Sequence, residues 1–398
     1  PAVLHRELTV DFSLSASSLG AMTSLYYYSY TAMQIPTGLL ADLWGPRRLL
    51  AFGLISTAIS SAIFAISEEL FWAGVARFLI GVSVAVAFVT TLKLSSHWLP
   101  PKRYAFATGM LLVAGMTGAV FAGYPLHQAT ILFGWRNVTL ASALLALLMA
   151  VLVFMFVRDD PSEKGLKSYL DKESSGQKEE KILRSLGRVF RFSNTWFLTI
   201  APGGIVGAVL TFSGLWGVPF LTEVYHLENA TAATLCSLVM LAWALSGPIY
   251  SLVSERIQLR RMPYLIGTMI SLISWSLVFL IPGWSLGILS LLLFLAGFFS
   301  GGMILGFAQG KETLPLSLSG TVSGVINMGV LTGPMLLQPL VGFLLDSTKP
   351  TAHASMEISV GFSFEDYRFA FLPVLIWLVL SVLALSLIHI SEPTRRRT

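Results

Sequence analysis

The stretch Gly38-Leu-Leu-Ala-Asp42-Leu-Trp-Gly45-Pro46-Arg47-Arg48 closes one long apolar run, 19–40, and opens another, 49–66. It sets one acid, a Gly-Pro pair and two arginines between two hydrophobic segments. About 20 helical residues cross a hydrocarbon core, so a short polar junction between two such runs reads as a chain turning back at the surface of a bilayer. Gly45 and Pro46 supply the sharp turn. Arg47 and Arg48 hold the junction on one side, because basic loops stay in the cytoplasm.

Outward from this junction the pattern repeats. Apolar runs follow at 70–98, 104–124 and 135–157, and a polar stretch occupies 158–194. Further runs lie at 196–221, 231–253, 263–281, 285–309, 316–345 and 367–390. The spacing predicts eleven membrane helices, five before the polar stretch and six after it. Composition agrees: 55% of the 398 residues are hydrophobic and only 12% charged, with a mean hydropathy of +0.74. A water-soluble chain of this length needs far more polar surface. The fold class is therefore an all-α membrane protein.

The net charge of +5 does not indicate nucleic acid, since the basic residues sit in short loops where they set topology. Arg47, Arg48, Lys102, Arg103, Arg256, Arg260, Arg261 and Lys311 occupy one set of loops. Glu68, Glu69, Glu223 and Glu228 occupy the opposite set. The 158–194 stretch falls on the basic side and mixes Lys with Asp and Glu. It reads as a solvated linker with a surface helix at 182–192. Cys236 is the sole cysteine and lies in an apolar run, which excludes a disulfide framework and a cysteine metal site. No cofactor or metal is expected.

The alternation places 1–18 outside the cell, so a preceding helix is expected, and restoring it gives six plus six. At the other end, 385–395 reads LSLIHISEPTR. It is similar to the conceptual translation of a transposon-type sequencing adapter, and 385–398 is expected to be a non-native tail. The organisation expected is a helix bundle at 1–157, a cytoplasmic loop at 158–195 and a second bundle at 196–390. The halves match each other internally. Gly109, Thr117 and Gly118 correspond to Gly324, Thr332 and Gly333 at an offset of 215 (324 − 109), as do Leu99-Pro100 and Leu314-Pro315. Asp42, Arg47 and Arg48 correspond to Glu255, Arg260 and Arg261 at an offset of 213 (255 − 42). Matches in consistent order point to duplicated bundles.

Gly38, Asp42, Gly45, Arg47 and Arg48 resemble the signature loop of the major facilitator superfamily, with Leu43 where that pattern carries Arg. The resemblance implies two pseudo-symmetric six-helix bundles, about 11 of 12 helices present, and alternating-access transport. It also implies a cytoplasmic latch built on Asp42, with Glu255, Arg260 and Arg261 as the second copy. A purely topological role for these charges competes with that reading. Arg77-Phe-Leu-Ile-Gly81-Val-Ser-Val-Ala85 is similar to the family's fourth-helix Arg motif, with Ile80 in place of an expected Gln. Arg77 either contacts substrate or a coupling proton, or snorkels outward from its helix start. The 104–124 run lacks the Gly-Pro pair of the family's antiporters; Gly333-Pro334 stands in the second half, where it allows bending or close packing.

Candidate cavity residues are Tyr30, Gln34, Thr117, Trp216, Trp243, Asn327 and Gln338, each with interhelical packing as its plainer alternative. Lys93 reads chiefly as a helix-end or snorkelling residue. The run Tyr26–Tyr28 circles its helix, so not all three tyrosines can line one cavity. No Asp or Glu falls mid-span, which disfavours cationic cargo. The expected protein is a monomeric, multi-pass carrier of the inner or plasma membrane, taking up an organic anion or zwitterion with protons or another coupling ion. Efflux by the same fold and a non-transporting sensor remain open. An intramembrane enzyme lacks its motif, because the six histidines are scattered and none pairs with an acid at motif spacing.

Overall fold

A computed structural model describes residues 2–100, 110–111, 114–115, 117–118, 120–166, 187–313, 319–348 and 361–388. Among the described residues no strand occurs. Nine helical stretches among the described residues are long and apolar enough to cross a membrane. The 19–40 run is absent from that group for a structural reason: it is split into α2 (Ala16–Ala32) and α3 (Gln34–Trp44), each too short alone. Residues 104–109, 112, 113, 116 and 119 of the 104–124 run lie outside the described residues, as do 182–186 of the expected surface helix; 187–189 are helical.

Preceding these is α1 (His5–Asp11). Then come α4 (Pro46–Ile66), α5 (Leu70–Trp98), α6 (Tyr124–Phe133) and α7 (Trp135–Phe156). The second half holds α8 (Ser193–Thr211), a wide π-type turn at Phe212–Trp216 and α9 (Gly217–Val224). It continues with α10 (Asn229–Ile257), α11 (Arg261–Leu280), α12 (Leu286–Ser300) and α13 (Ile304–Thr313). Last are α14 (Ser319–Thr348), α15 (Phe364–Ala370) and α16 (Leu372–Leu387).

Two compact units emerge. One comprises 1–176, 213–237 and 338–366; the other comprises 177–212, 238–337 and 367–398. In the first, α4 packs on α5 and α7, and α2 packs on α5. The α2–α5 seam depends on Gly81: a Cβ there would meet Ser29 Oγ and the Tyr26 carbonyl oxygen at 2.1 and 2.2 Å, so only a bare backbone permits this approach. In the second unit, α8 packs on α16 and α11 on α12. Its interior is an aromatic column. Phe279 stacks on Phe371 with centroids 4.1 Å apart and planes 7° off parallel, and Trp275 stacks on Phe279 at 5.1 Å. Rings stacked in this way add to the dispersion energy of burial.

Exposure identifies the solvent. Helix α7 is among the most apolar segments, yet only 11% of its span is buried, whereas the Ser193–Val224 stretch is 89% buried. A wholly apolar helix left uncovered by protein is stable in hydrocarbon and not in water. The chain is a multi-pass membrane protein.

Candidate functional site

The Gly38–Arg48 junction is assembled around a residue that the sequence did not single out. Gly45 has φ 82° and ψ 148°, a region that glycine alone visits freely. It turns the chain between α3 and α4, with Pro46 at the first position of α4. The Asp159 carboxylate, from the loop after α7, lies where a Cβ on Gly45 would stand, 2.6 Å away. It accepts the backbone N–H of Arg47 at 2.6 Å, so an acid caps the positive end of α4. Arg47 then reaches back to α7. Its Nε donates to the Phe154 carbonyl at 2.9 Å, its Nη2 donates to the same oxygen, and its guanidinium lies 4.4 Å from the Phe154 ring centroid. Arg48 is exposed. The Asp42 side chain lies outside the described set, and Gly38 is placed only as a residue of α3.

The second copy has a related geometry. Arg261 Nε donates to the Leu385 carbonyl at 3.0 Å, and its Nη2 to that of Ser386. Arg260 pairs with Glu312 at 3.1 Å and donates to Ser254 Oγ at 3.1 Å. Glu255 is exposed. Lys93 Nζ donates to the Ala41 carbonyl at 2.6 Å, which places a cation on the last turn of α3, where the helix dipole favours it. His97 and Trp98 contact the Asp159 and Arg158 carbonyls at 3.0 Å.

Arg77 turns inward. One turn from Gly81, it faces α2 and α4, with its guanidinium 5.6 Å from the Tyr26 ring centroid and 5.8 Å from that of Phe64. Its Nε is sealed from solvent and has no hydrogen-bond partner. Among the described residues no carboxylate pairs with it. Around it stand Tyr27, hydrogen-bonded to the Gln338 side chain, and Tyr30, hydrogen-bonded to the Gln34 side chain. Tyr26 packs edge-on against Tyr27 at 5.1 Å and tilted against Tyr30 at 5.7 Å. Tyr28 points the other way and is exposed, as the helical spacing requires. Arg77, Tyr26, Tyr27, Tyr30, Gln34 and Gln338 therefore form one cluster, with an uncompensated guanidinium beside phenol and amide groups.

Trp216 and Gln338 also meet. The indole N–H donates to the Gln338 carbonyl at 3.0 Å, with both residues almost fully buried at 2% and 1% exposure. The π-type turn at 212–216 directs this contact: its Gly214 lies against the Gln338 amide and the Tyr27 hydroxyl, 3.3 and 3.7 Å from an added Cβ. Such extra-residue turns often occur at functional positions. Trp243 is half-buried, and its carbonyl accepts the Ser246 hydroxyl at 2.7 Å. Asn327 is half-buried and Thr117 is exposed. Gly333 fits against Gly203 and Gly207, where a Cβ would come within 2.0 Å of the Gly203 carbonyl; close packing is its role.

The family model described as Major Facilitator Superfamily matches residues 1–338. The chain is 23% identical over 379 residues to the "Probable galactarate/D-glucarate transporter GarP" of Escherichia coli (strain K12), covering 86% of this chain and 83% of that one. It is 22% identical over 259 residues to the "Probable sulfoacetate transporter SauU" of Cupriavidus necator, covering 63% of this chain. It spans only 59% of the length of that relative. Among solved structures it is similar to a bacterial homolog to the human lysosomal transporter Spinster in an inward-facing, unoccupied conformation. That similarity has a TM-score of 0.75 and 17% identity, and it covers 97% of this chain and 92% of the other.

Proposed function

This chain belongs to the major facilitator superfamily, and on that premise we propose that it is a secondary transporter that takes up a small organic anion by alternating access. The observation that carries the reading is Arg77, a guanidinium held inside the helix bundle with one nitrogen unpartnered and, among the described residues, no carboxylate against it. A buried charge is costly until something pairs with it. An anionic cargo supplies that pairing, and a planar guanidinium matches a carboxylate or sulfonate oxygen pair. The hydroxyls of Tyr27 and Tyr30 and the amides of Gln34 and Gln338 offer donors and acceptors for hydroxyl groups on the cargo. The names of two relatives point the same way, since galactarate, D-glucarate and sulfoacetate are all hydrophilic anions.

The basic loops carrying Arg47 and Arg261 face the cytoplasm in this reading, and the acidic loops face outward. Two helix bundles, 1–157 with five of the six expected helices and 196–390 with six, are joined by the 158–195 segment. The protein is a monomer in the cell membrane. Uptake is coupled to protons or another ion, because concentrating an anion against an inside-negative potential needs a cation to accompany it.

The test is uptake of radiolabelled D-glucarate and sulfoacetate into proteoliposomes, with and without an inward proton gradient, beside glucose as a neutral control. Saturable uptake of an anion, stimulated by the gradient and abolished in Arg77→Ala, is expected. Anion uptake identical in the parent and Arg77→Ala proteoliposomes would overturn the assignment of Arg77. Uptake of glucose in preference to either anion would overturn the cargo class.

A further inference from the structure

At the end of α2 opposite the basic loops, one carboxylate from the second half of the chain takes hold of a helix from the first. Asp346, near the close of α14, accepts the backbone N–H of Ala16 through Oδ1 at 3.0 Å and that of Ser17 through Oδ2 at 2.7 Å. The hydroxyls of Ser15 and Ser17 also hydrogen-bond to it. Both oxygens are thus engaged with the first turn of α2, where N–H groups have no partner within the helix and the helix dipole favours an anion.

The clasp ends a longer seam. Along α2 the residues Ala16, Gly20, Ser24 and Tyr27 recur at helical spacing and share a face. Along α14 the residues Gln338, Gly342 and Asp346 recur every four. Tyr27 bonds the Gln338 side chain. A Cβ on Gly20 would meet the Gln338 carbonyl at 2.7 Å, and one on Gly342 would meet the Ala16 carbonyl at 2.3 Å. The two helices run antiparallel, in near-backbone contact at Gly20 and Gly342.

We propose that Asp346 is a releasable outer clasp that sets how often the transporter opens to the outside. Apolar interlocking would resist separation, because the exposed surface would have to be hydrated. Here the parts that separate are a carboxylate and peptide N–H groups. Water satisfies both once they part, so the net strength of the contact is modest and the closed state is reversible. The clasp rests on the alternating-access reading but not on the identity of the cargo.

The experiment measures access from outside. In the full chain carrying Cys236→Ala, a single cysteine is placed on the seam by Ser24→Cys. Ser24 is fully buried and its hydroxyl has no partner. Intact cells are treated with a membrane-impermeant maleimide, and the labelling rate is compared for Asp346, Asp346→Asn and Asp346→Ala. Asp346→Ala is expected to label about tenfold faster, a net change of about 1.4 kcal/mol once water replaces the lost contacts. Asp346→Asn, which keeps one acceptor without charge, falls between. Labelling of Asp346→Ala at the parental rate, with an unchanged size-exclusion profile, overturns the clasp. If Asp346→Ala does not elute as a monodisperse species, Asp346→Asn decides, and a parental rate there overturns it equally. Faster labelling in a chain that carries none of the tested anions supports the clasp and discards the cargo assignment alone.

Discussion

Arg47 and Arg261 stand 214 positions apart (261 − 47), and each binds carbonyl oxygens in the last turns of a helix near the end of its own half. Arg47 takes Phe154 in α7, and Arg261 takes Leu385 and Ser386 in α16. The internal repeat thus recurs as a backbone contact, the second copy made to carbonyls at the start of the stretch expected to be a non-native tail. It aligns Arg47 with Arg261, one residue away from the register in which the charges alone pair Arg47 with Arg260.

That equivalence makes a paired prediction. Arg47→Ala and Arg261→Ala each strand carbonyls that an ionised donor had satisfied, at a cost of about 1.5–3 kcal/mol each. Both variants should unfold at lower temperature than the parent in detergent, by several degrees. The Lys variants should recover only part of the loss, since an ammonium lacks the two-pronged donor geometry. A thermal midpoint unchanged in either alanine variant would contradict the contact.

Gly45 is constrained twice, by its backbone angles and by the Asp159 carboxylate against its missing Cβ. Gly45→Ala should cost about 1–3 kcal/mol from backbone strain alone. Adding Asp159→Ala removes the collision but leaves the strain and uncaps α4. The double variant should therefore not regain parental thermal stability, and full recovery would show that crowding was the whole effect.

Arg77→Lys separates charge from shape. The point charge survives, but the planar pair of donors is lost. Initial uptake of a dicarboxylate should fall about 10- to 100-fold, mainly through a higher KM, as expected when a charge-assisted bond is lost from ground state and transition state together. A drop confined to kcat would instead make Arg77 part of the conformational step.

On α1, burial first and then the neighbouring Arg6 charge lower the His5 pKa from 6.5 to about 4. The unfolded chain binds a proton at higher pH than the folded one. Stability contributed by neutral His5 is therefore present above pH 6.5 and is lost as pH falls from there toward 4. Asp11 on the same helix does not interfere in this window. Partial burial pushes its carboxyl up, but hydrogen bonds from Trp135 and Arg136 outweigh it and hold it below the ordinary value. The thermal midpoint should fall between pH 6.5 and 4 in the parent and slope less in His5→Gln; parallel slopes would assign the loss elsewhere.

The helices were legible because membrane spans are written in long apolar runs, and 70–98 was placed to the residue. The break at Met33 was legible but went unread: Pro36, at the third position of α3, has no N–H for the Ala32 carbonyl and its ring crowds that oxygen, so the helix is interrupted between them. At the site, Arg77 could be named from its cost in a span, but its inward direction depends on Gly81 admitting α2. Gln338 and Trp216 were both candidates, but their contact was invisible because 122 residues separate them. Asp159 and Asp346 escaped notice for a common reason. Each is an acid at the end of an apolar run that resembles an ordinary boundary charge until the helix it caps is in place.

The π-type turn at Phe212–Trp216 also affects how this chain should be compared with others. One surplus residue in a helix rotates everything after it by about 100° relative to an unbroken α-helix. Faces assigned to Gly217–Val224 by counting from Ser193 will be out of phase, and an ungapped alignment to a chain without the turn will misplace each position there by more than a quarter turn. Such an alignment needs a one-residue gap within 212–216 before residues on the two sides are equated.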